Sequence, residues 1–235
     1  MGITVGFDLD MTLIDPRPGM VAAMNALADE SGLALDGEHF AANLGPPLDE
    51  VLRGFEAPEE RIPGLVDRFR ALYPEIVIPR TAALPGAAAA LDAVRAAGGS
   101  TLVVTGKYAP NAALHLRALG FEVDALVGEL WSTGKAEALL DHGATVYVGD
   151  HLGDVRGALA AGALAVGVTT GPCTRAELLD AGAHVVFADL GDFPAWLDAE
   201  LERGRLGETR KDTRSRRPGG VPGPGRSTRG PVRAG

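Results

Sequence analysis

The chain has 235 residues, 46% of them apolar and 5% aromatic, and a net charge of −9. That length can bury one good core and a smaller second unit, and the composition fits an Ala- and Leu-rich α/β protein. No uninterrupted apolar stretch approaches the roughly 20 residues of a spanning helix, so a helical membrane protein is excluded. The first strand starts by about Ile3 and leaves no room for a signal peptide, so a cytoplasmic location is expected. Cys173, the only cysteine, cannot form an internal disulfide and reads as ordinary structure.

The first strand ends in acid. In Val5-Gly6-Phe7-Asp8-Leu9-Asp10-Met11-Thr12 an apolar run delivers two carboxylates and a hydroxyl to the end of a buried parallel strand. Ligands of open α/β sheets bind at such carboxyl ends, and neighbouring carboxylates there need a cation or substrate to offset their repulsion. A bound Mg²⁺ is the economical answer. An isolated pair of this kind more often just starts a turn, so residues further along must decide.

Residues 16–78 exceed what a βαβ crossover requires and are helical in pattern throughout, which predicts a separate helical unit. Met20, Ala23, Met24 and Leu27 recur at three and four residues, as do Ile62, Leu65, Val66, Phe69 and Leu72, giving each segment one apolar face. Gly45-Pro46-Pro47 reads as a rigid break, either a plain turn or a loop presented to a site.

From residue 84 helix and strand signals alternate. Helices are expected over 85–97, 110–119, 135–140, 154–161, 175–181 and 193–201. Strands are expected over 101–105, 124–127, 145–148, 164–168 and 184–187. This is the pattern of a parallel sheet, so the fold class is α/β, a Rossmann-like doubly wound sheet with an inserted helical cap. Its core is assigned to 1–15 and 79–203 and its cap to 16–78. Residues 203–235 carry ten Arg and Lys against Glu208 and Asp212, and their Gly, Pro, Ser and Thr content predicts a disordered basic tail over 204–235. The remaining chain is correspondingly acidic. With no aromatic residue for base stacking, the tail reads as a solvated extension before a nucleic-acid contact.

Three later features repeat the strand-end placement of the opening motif. Thr105-Gly106-Lys107 follows one strand, Lys135 opens a helix, and Gly149-Asp150-His151-Leu152-Gly153-Asp154 follows another strand. Asp150 and Asp154, four apart, can share one side of a helix's first turn. Acids at neighbouring strand ends without a cation would repel one another by roughly several kcal/mol. Taken singly, Thr105 could simply end a strand, Lys135 could be a solvated helix start, and Asp154 could favour a helix dipole. His142, His151 and His184 lack the paired spacing of a zinc site.

The ordered set D-x-D-x-T, strand-terminal Thr, Lys and G-D-x-x-x-D resembles the haloacid dehalogenase superfamily of phosphohydrolases over about residues 3–200, with the helical insert similar to its cap. Gly45-Pro46-Pro47-Leu48 and Val103-Val104-Thr105-Gly106-Lys107 look most like its phosphoglycolate phosphatase group. The resemblance implies that Asp8 is a nucleophile forming an aspartyl-phosphate and that Asp10 is the general acid and base. It implies Mg²⁺ held by Asp8, the Asp10 backbone carbonyl and Asp150, with Asp154 as a further ligand or its anchor. Thr105 and Lys135 would grip phosphoryl oxygens. Two positions depart from the pattern. Met11 stands where many relatives have Gly. Lys135 follows Thr133-Gly134 outside the Lys-Pro context common in the phosphoglycolate phosphatase group, which makes Lys107 a rival phosphate ligand.

The expected activity is a Mg²⁺-dependent phosphatase acting on a small phosphorylated metabolite. A haloacid dehalogenase is disfavoured because its reaction has no need of Asp10, and a phosphonate hydrolase because it normally lacks that carboxylate. A sugar-phosphate mutase keeps the same core residues and stays open. So does a non-catalytic binding module with a polyanion-binding tail, although the intact acids argue against it.

Overall fold

Six strands form one parallel sheet because their sequences are apolar on both faces, as strands covered by helices on either side must be. A computed structural model describes residues 2–204 and Leu206. In chain order the α/β part contains β1 (Thr4–Phe7) and a two-residue strand β2 (Ile14–Asp15). The helical unit follows, with α1 (Arg17–Ser31), α2 (Gly37–Ala42), α3 (Leu48–Gly54) and α4 (Ile62–Leu72), then a π-helical turn Tyr73–Val77. The chain returns through β3 (Ala82–Ala83), α5 (Ala87–Ala96), β4 (Ser100–Val104), α6 (Ala109–Ala118) and β5 (Ala125–Val127). It ends with α7 (Lys135–Asp141), β6 (Val146–Gly149), α8 (Leu152–Ala161), β7 (Leu164–Val168), α9 (Arg175–Asp180), β8 (Val185–Phe187) and α10 (Phe193–Glu202).

The strand order is β5-β4-β1-β6-β7-β8, with every neighbouring pair parallel. The chain runs outward from β1 through β4 to β5, then crosses to β6 on the other side, so β1 lies at the topological switch point. Loops diverge there, and a crevice opens beyond the strand ends. Successive side chains alternate between faces. Val5, Phe7, Val103, Val146, Val148, Val166 and Val168 belong to one buried cluster, while Leu102, Val104, Tyr147 and Ala165 belong to the cluster on the opposite face. Gly6 faces the second cluster, where a Cβ would lie 2.8 Å from the Tyr147 ring and 3.0 Å from Leu139. Its missing side chain is the space Tyr147 occupies.

The helical unit has its own core. Met20, Ala23, Met24 and Leu27 of α1 are buried with Ile62, Leu65, Phe69 and Leu72 of α4, on the faces the periodicity predicts. Val66 is only partly buried at the edge of that core. The two crossings between this unit and the sheet pair as an antiparallel ribbon, Ile14 with Ala83 and Asp15 with Ala82.

Leu206, assigned to the tail from sequence, is 4% exposed and belongs to the same buried cluster as Phe193 and Leu197. The expected boundary after residue 203 therefore falls short by at least this side chain, whose apolar surface is drawn into the core. Apart from Gly204 and Leu206, the tail expected over 204–235 lies outside the described residues.

Candidate active site

Three strand ends meet at the switch point. Asp8 follows β1, Thr105 follows β4 and Asp150 follows β6, and all three are buried. The chain beyond β1 folds back at once, since the amides of Leu13 and Ile14 donate to the Leu9 carbonyl and Met11 N–H donates to Ile14. Met11 takes a φ of 58°, a left-handed conformation in which a side chain is disfavoured. This is the physical reason a glycine suits that position. Here Met11 is buried, and its carbonyl accepts from the Thr170 hydroxyl. The turn aims the Thr12 hydroxyl at Asp150, donating to Oδ1 at 3.0 Å.

Carboxylate oxygens of Asp8, Asp150 and Asp154 lie within 4.8 Å of one another, all buried. Burial pushes the Asp8 carboxyl up from its ordinary value, with Lys135 opposing it. Burial, then Asp154 and Asp8, push Asp150 well up. Lys135 is 0% exposed and donates to Asp8 Oδ1 at 2.9 Å, to Asp154 Oδ1 at 2.7 Å and to the Tyr147 hydroxyl at 2.9 Å. Burial alone would lower this ammonium, but the carboxylates of Asp154 and Asp8 reverse that and hold it well above its ordinary value. The Tyr147 hydroxyl donates in turn to the Val104 carbonyl at 2.6 Å, so the lysine is fixed from below by the sheet. With all three acids ionised, one ammonium leaves two negative charges uncompensated in a buried place. The hard oxygen donors and that excess fit a divalent cation such as Mg²⁺.

Asp154 has a second task. Its other oxygen accepts from His151 N–H at 3.1 Å, while His151 Nδ1 accepts from Gly153 N–H at 3.0 Å, a reciprocal cap that starts α8 at Leu152, two residues before the expected start. Gly171 approaches from the loop after β7. A Cβ there would lie 1.8 Å from Asp150 Oδ2.

Asp10 is held separately. Its Oδ2 pairs with Lys107 Nζ at 2.9 Å, and its Oδ1 is buried without a hydrogen-bond partner among the described residues. Lys107 also donates to the Tyr73 hydroxyl at 2.8 Å, and that hydroxyl donates to Met20 Sδ at 3.1 Å. Burial would lower Lys107, but Asp10 and Tyr73 raise it above the ordinary lysine value. Burial also raises the Asp10 carboxyl, against the pull of Lys107. His115 of α6 meets the Tyr73 ring edge-on at 5.6 Å. Neither of its nitrogens has a partner among the described residues, and burial, with Lys107 nearby, pushes it down to about 3, so it is neutral.

A cavity of about 300 Å³ lies between the strand ends and the helical unit. Asp8, Asp10, Thr105, Lys107 and Asp150 line its floor, and Thr105 Oγ1 accepts from Lys107 N–H at 3.2 Å. Gly45, Pro46 and Pro47 line it too, with Gly45 against the Trp131 ring, so the break between α2 and α3 is a loop presented to the site. Lys135 and Asp154 are outside the lining, behind Asp8, whereas the rival Lys107 faces the cavity. The structure thus brings Asp8, Asp10, Thr105, Lys135, Asp150 and Asp154 into one neighbourhood in two tiers. Sequence reasoning missed Tyr147, Tyr73 and Gly171, and it gave Thr12 only as the hydroxyl of the opening motif, without its bond to Asp150.

Known proteins resemble the chain in the same terms. A family model described as haloacid dehalogenase-like hydrolase matches residues 5–168. A phosphoglycolate phosphatase of Caulobacter vibrioides is 32% identical over 213 residues, 82% of this chain and 90% of that protein. The solved structure of a predicted phosphatase from Clostridium acetobutylicum has a TM-score of 0.72 and 24% identity, covering 85% of this chain and 99% of that one. A Bacteroides vulgatus chain whose name carries beta-phosphoglucomutase has a TM-score of 0.65 and 22% identity, covering 88% and 91%. At those identities the structural likeness bears on the fold alone.

Proposed function

We propose a function on the premise that this chain belongs to the haloacid dehalogenase-like hydrolase family: it is a Mg²⁺-dependent phosphatase hydrolysing a small phosphate monoester through an aspartyl-phosphate. The observation that carries this is the division of labour after β1. Asp8 sits in the three-carboxylate cluster, while Asp10, two residues on, is kept out of it by Lys107 and faces the same cavity with one oxygen unpartnered.

In the first half-reaction an Asp8 carboxylate oxygen forms a bond to phosphorus as the bond from phosphorus to the alcohol oxygen breaks. The Asp10 carboxyl gives its proton to that departing oxygen. In the second, Asp10 takes a proton from water, whose oxygen bonds to phosphorus as the Asp8–phosphorus bond breaks, releasing inorganic phosphate. Thr105 donates its hydroxyl to a phosphoryl oxygen, and the ammonium of Lys107 lies on the same floor. Lys135 neutralises Asp8 from behind and fixes its orientation, which is how it contributes to phosphate binding. Asp8, Asp150 and the Asp10 backbone carbonyl would hold Mg²⁺, anchored by Asp154. That ion supplies charge neutralisation as the phosphate dianion meets the nucleophile. The helical unit acts as a cap that excludes water from the cavity.

The test is phosphate release from a panel of phosphorylated metabolites with Mg²⁺ and with excess chelator. Release that persists undiminished in chelator contradicts the metal requirement. The mutase alternative gives an isomerised sugar phosphate in place of free phosphate, so product analysis decides between them. The proposed location is the cytoplasm, where phosphorylated metabolites are found. Among the described residues no helix is long and apolar enough to cross a membrane.

A further inference from the structure

The rest of the cavity's lining differs from its floor. Besides the acids, the helical unit and the loop before α7 contribute the apolar side chains Phe40, Leu44, Val66, Phe69 and Trp131 to its lining. Its 300 Å³ is about ten water volumes, more than a phosphoryl group and a two-carbon acid fill. Among the described lining residues the permanently cationic side chains are Lys107 and Arg70. Lys107 is committed to Asp10 and Tyr73. Arg70, which comes from α4, donates to Glu129 Oε1 at 2.8 Å and stacks 3.9 Å from the Tyr108 ring centre. His151 turns its Nδ1 to the Gly153 N–H at 3.0 Å and packs its ring 4.9 Å from Trp131.

We infer that the leaving alcohol of the substrate is uncharged and carries an apolar body about the size of one ring, so that phosphorylated hydroxy acids are poor substrates. This rests on the phosphatase reading above. A carboxylate on the leaving group would meet these apolar side chains and the carboxylates of Asp49 and Glu129, with Lys107 already paired to Asp10 and Arg70 to Glu129. An aryl or aliphatic body, by contrast, gains contact with the wall and displaces water from it. A phosphoglycolate-like substrate would be the natural transfer from the curated relatives. Pairing of Arg70 with Glu129 argues against it here.

The test compares 2-phenylethyl phosphate, ethyl phosphate and 2-phosphoglycolate, alkyl esters chosen so that pocket contacts, more than leaving-group reactivity, separate them. For the full chain with Mg²⁺, kcat/KM for 2-phenylethyl phosphate is expected to exceed that for 2-phosphoglycolate by at least about tenfold, with ethyl phosphate between. Equal or better turnover of 2-phosphoglycolate overturns the inference. Binding of the same esters to D8N, measured by calorimetry, separates the two levels. Absent turnover with tighter binding of 2-phenylethyl phosphate sinks the phosphatase reading and keeps the ligand class, whereas absent turnover with no binding preference sinks both. Glu129→Gln releases Arg70, and the ratio of the two rates should move about fivefold toward 2-phosphoglycolate. An unchanged ratio overturns the charge argument.

Discussion

Lys135 and Lys107 are both buried cations beside an aspartate of the opening motif, and different parts of the chain hold them. Every partner of Lys135 comes from the α/β part: Asp8 after β1, Asp154 in α8, Tyr147 in β6. Lys107 pairs with Asp10 after β1 and with Tyr73 from the helical unit, itself packed on Met20. The first arrangement exists wherever the sheet is formed. The second is complete only when the helical unit lies over the strand ends, so the acid and base of the proposed reaction is tied to the element that covers the substrate. In the proposed reaction the nucleophile's lysine would be a fixture of the scaffold, whereas the lysine beside the acid is held from both the strand ends and the helical unit.

The largest effect should come from Asp8→Asn. The amide keeps the shape and can still accept from Lys135, but it cannot attack phosphorus, so turnover should fall by at least about a thousandfold. Lys135 retains Asp154, and the thermal midpoint should stay within a few degrees. Turnover above a few percent of wild type, roughly the threshold for a lost nucleophile, would sink the covalent route. Lys135→Met comes next. It strands Asp8 and Asp154 in a dry cluster, and breaking a buried pair from one side typically costs about 3–5 kcal/mol. Urea unfolding at unchanged m-value should show that loss. A wild-type midpoint would mean that the scaffold lysine is dispensable and that the contrast between the two lysines fails.

The scaffold half of this contrast is legible in sequence and the closure half is not. Strands such as Leu164–Val168 announce themselves as short apolar runs, and an acid or hydroxyl at the end of three of them marks the crevice. The faces of α1 and α4 follow from their spacing. The Tyr73–Lys107 bond joins residues 34 apart through a π-helical turn, and no local pattern encodes such a contact. Tyr147 reads as one more strand residue because its hydroxyl matters only once Gly6 has left space beside it. The ribbon of β2 and β3 is two residues long on each side, too short for any period to show. His151 reads as a loop histidine in sequence, yet its ring caps α8 and its face packs 4.9 Å from Trp131.

A gentler change tests the closure half. Tyr73→Phe keeps the ring against Phe69 and His115 but removes the hydroxyl that accepts from Lys107. Losing a hydrogen bond to a charged group costs about 1.5–3 kcal/mol. We expect kcat to fall about tenfold, with a smaller loss for esters of acidic alcohols, whose departure needs less help from a proton. A uniform loss across leaving groups would place Tyr73 in packing alone. An unaltered rate would separate Lys107 from the acid's function.

The smallest effect is expected from the C-terminal segment. Residues 207–235 contain Val221 and Val232 as their large aliphatic side chains, too little apolar area to support docking. Truncation after Leu206 is therefore expected to leave phosphate release unchanged and stability within about 0.5 kcal/mol, the usual range for changes that touch no packed feature. Truncation after Arg203 also removes Leu206, which is buried in the cluster that includes Phe193 and Leu197. Burying such a side chain contributes about 1.5–3 kcal/mol. In a chain of this size that is several degrees of thermal midpoint, at about 2–4 °C per kcal/mol. The difference between the two truncations isolates one leucine. If both behave alike and lose nothing, Leu206 contributes no net stability. If the chain ending at Leu206 also loses activity, the basic segment acts on the site, and because it is cationic beside an acidic body that action should fade as salt is raised.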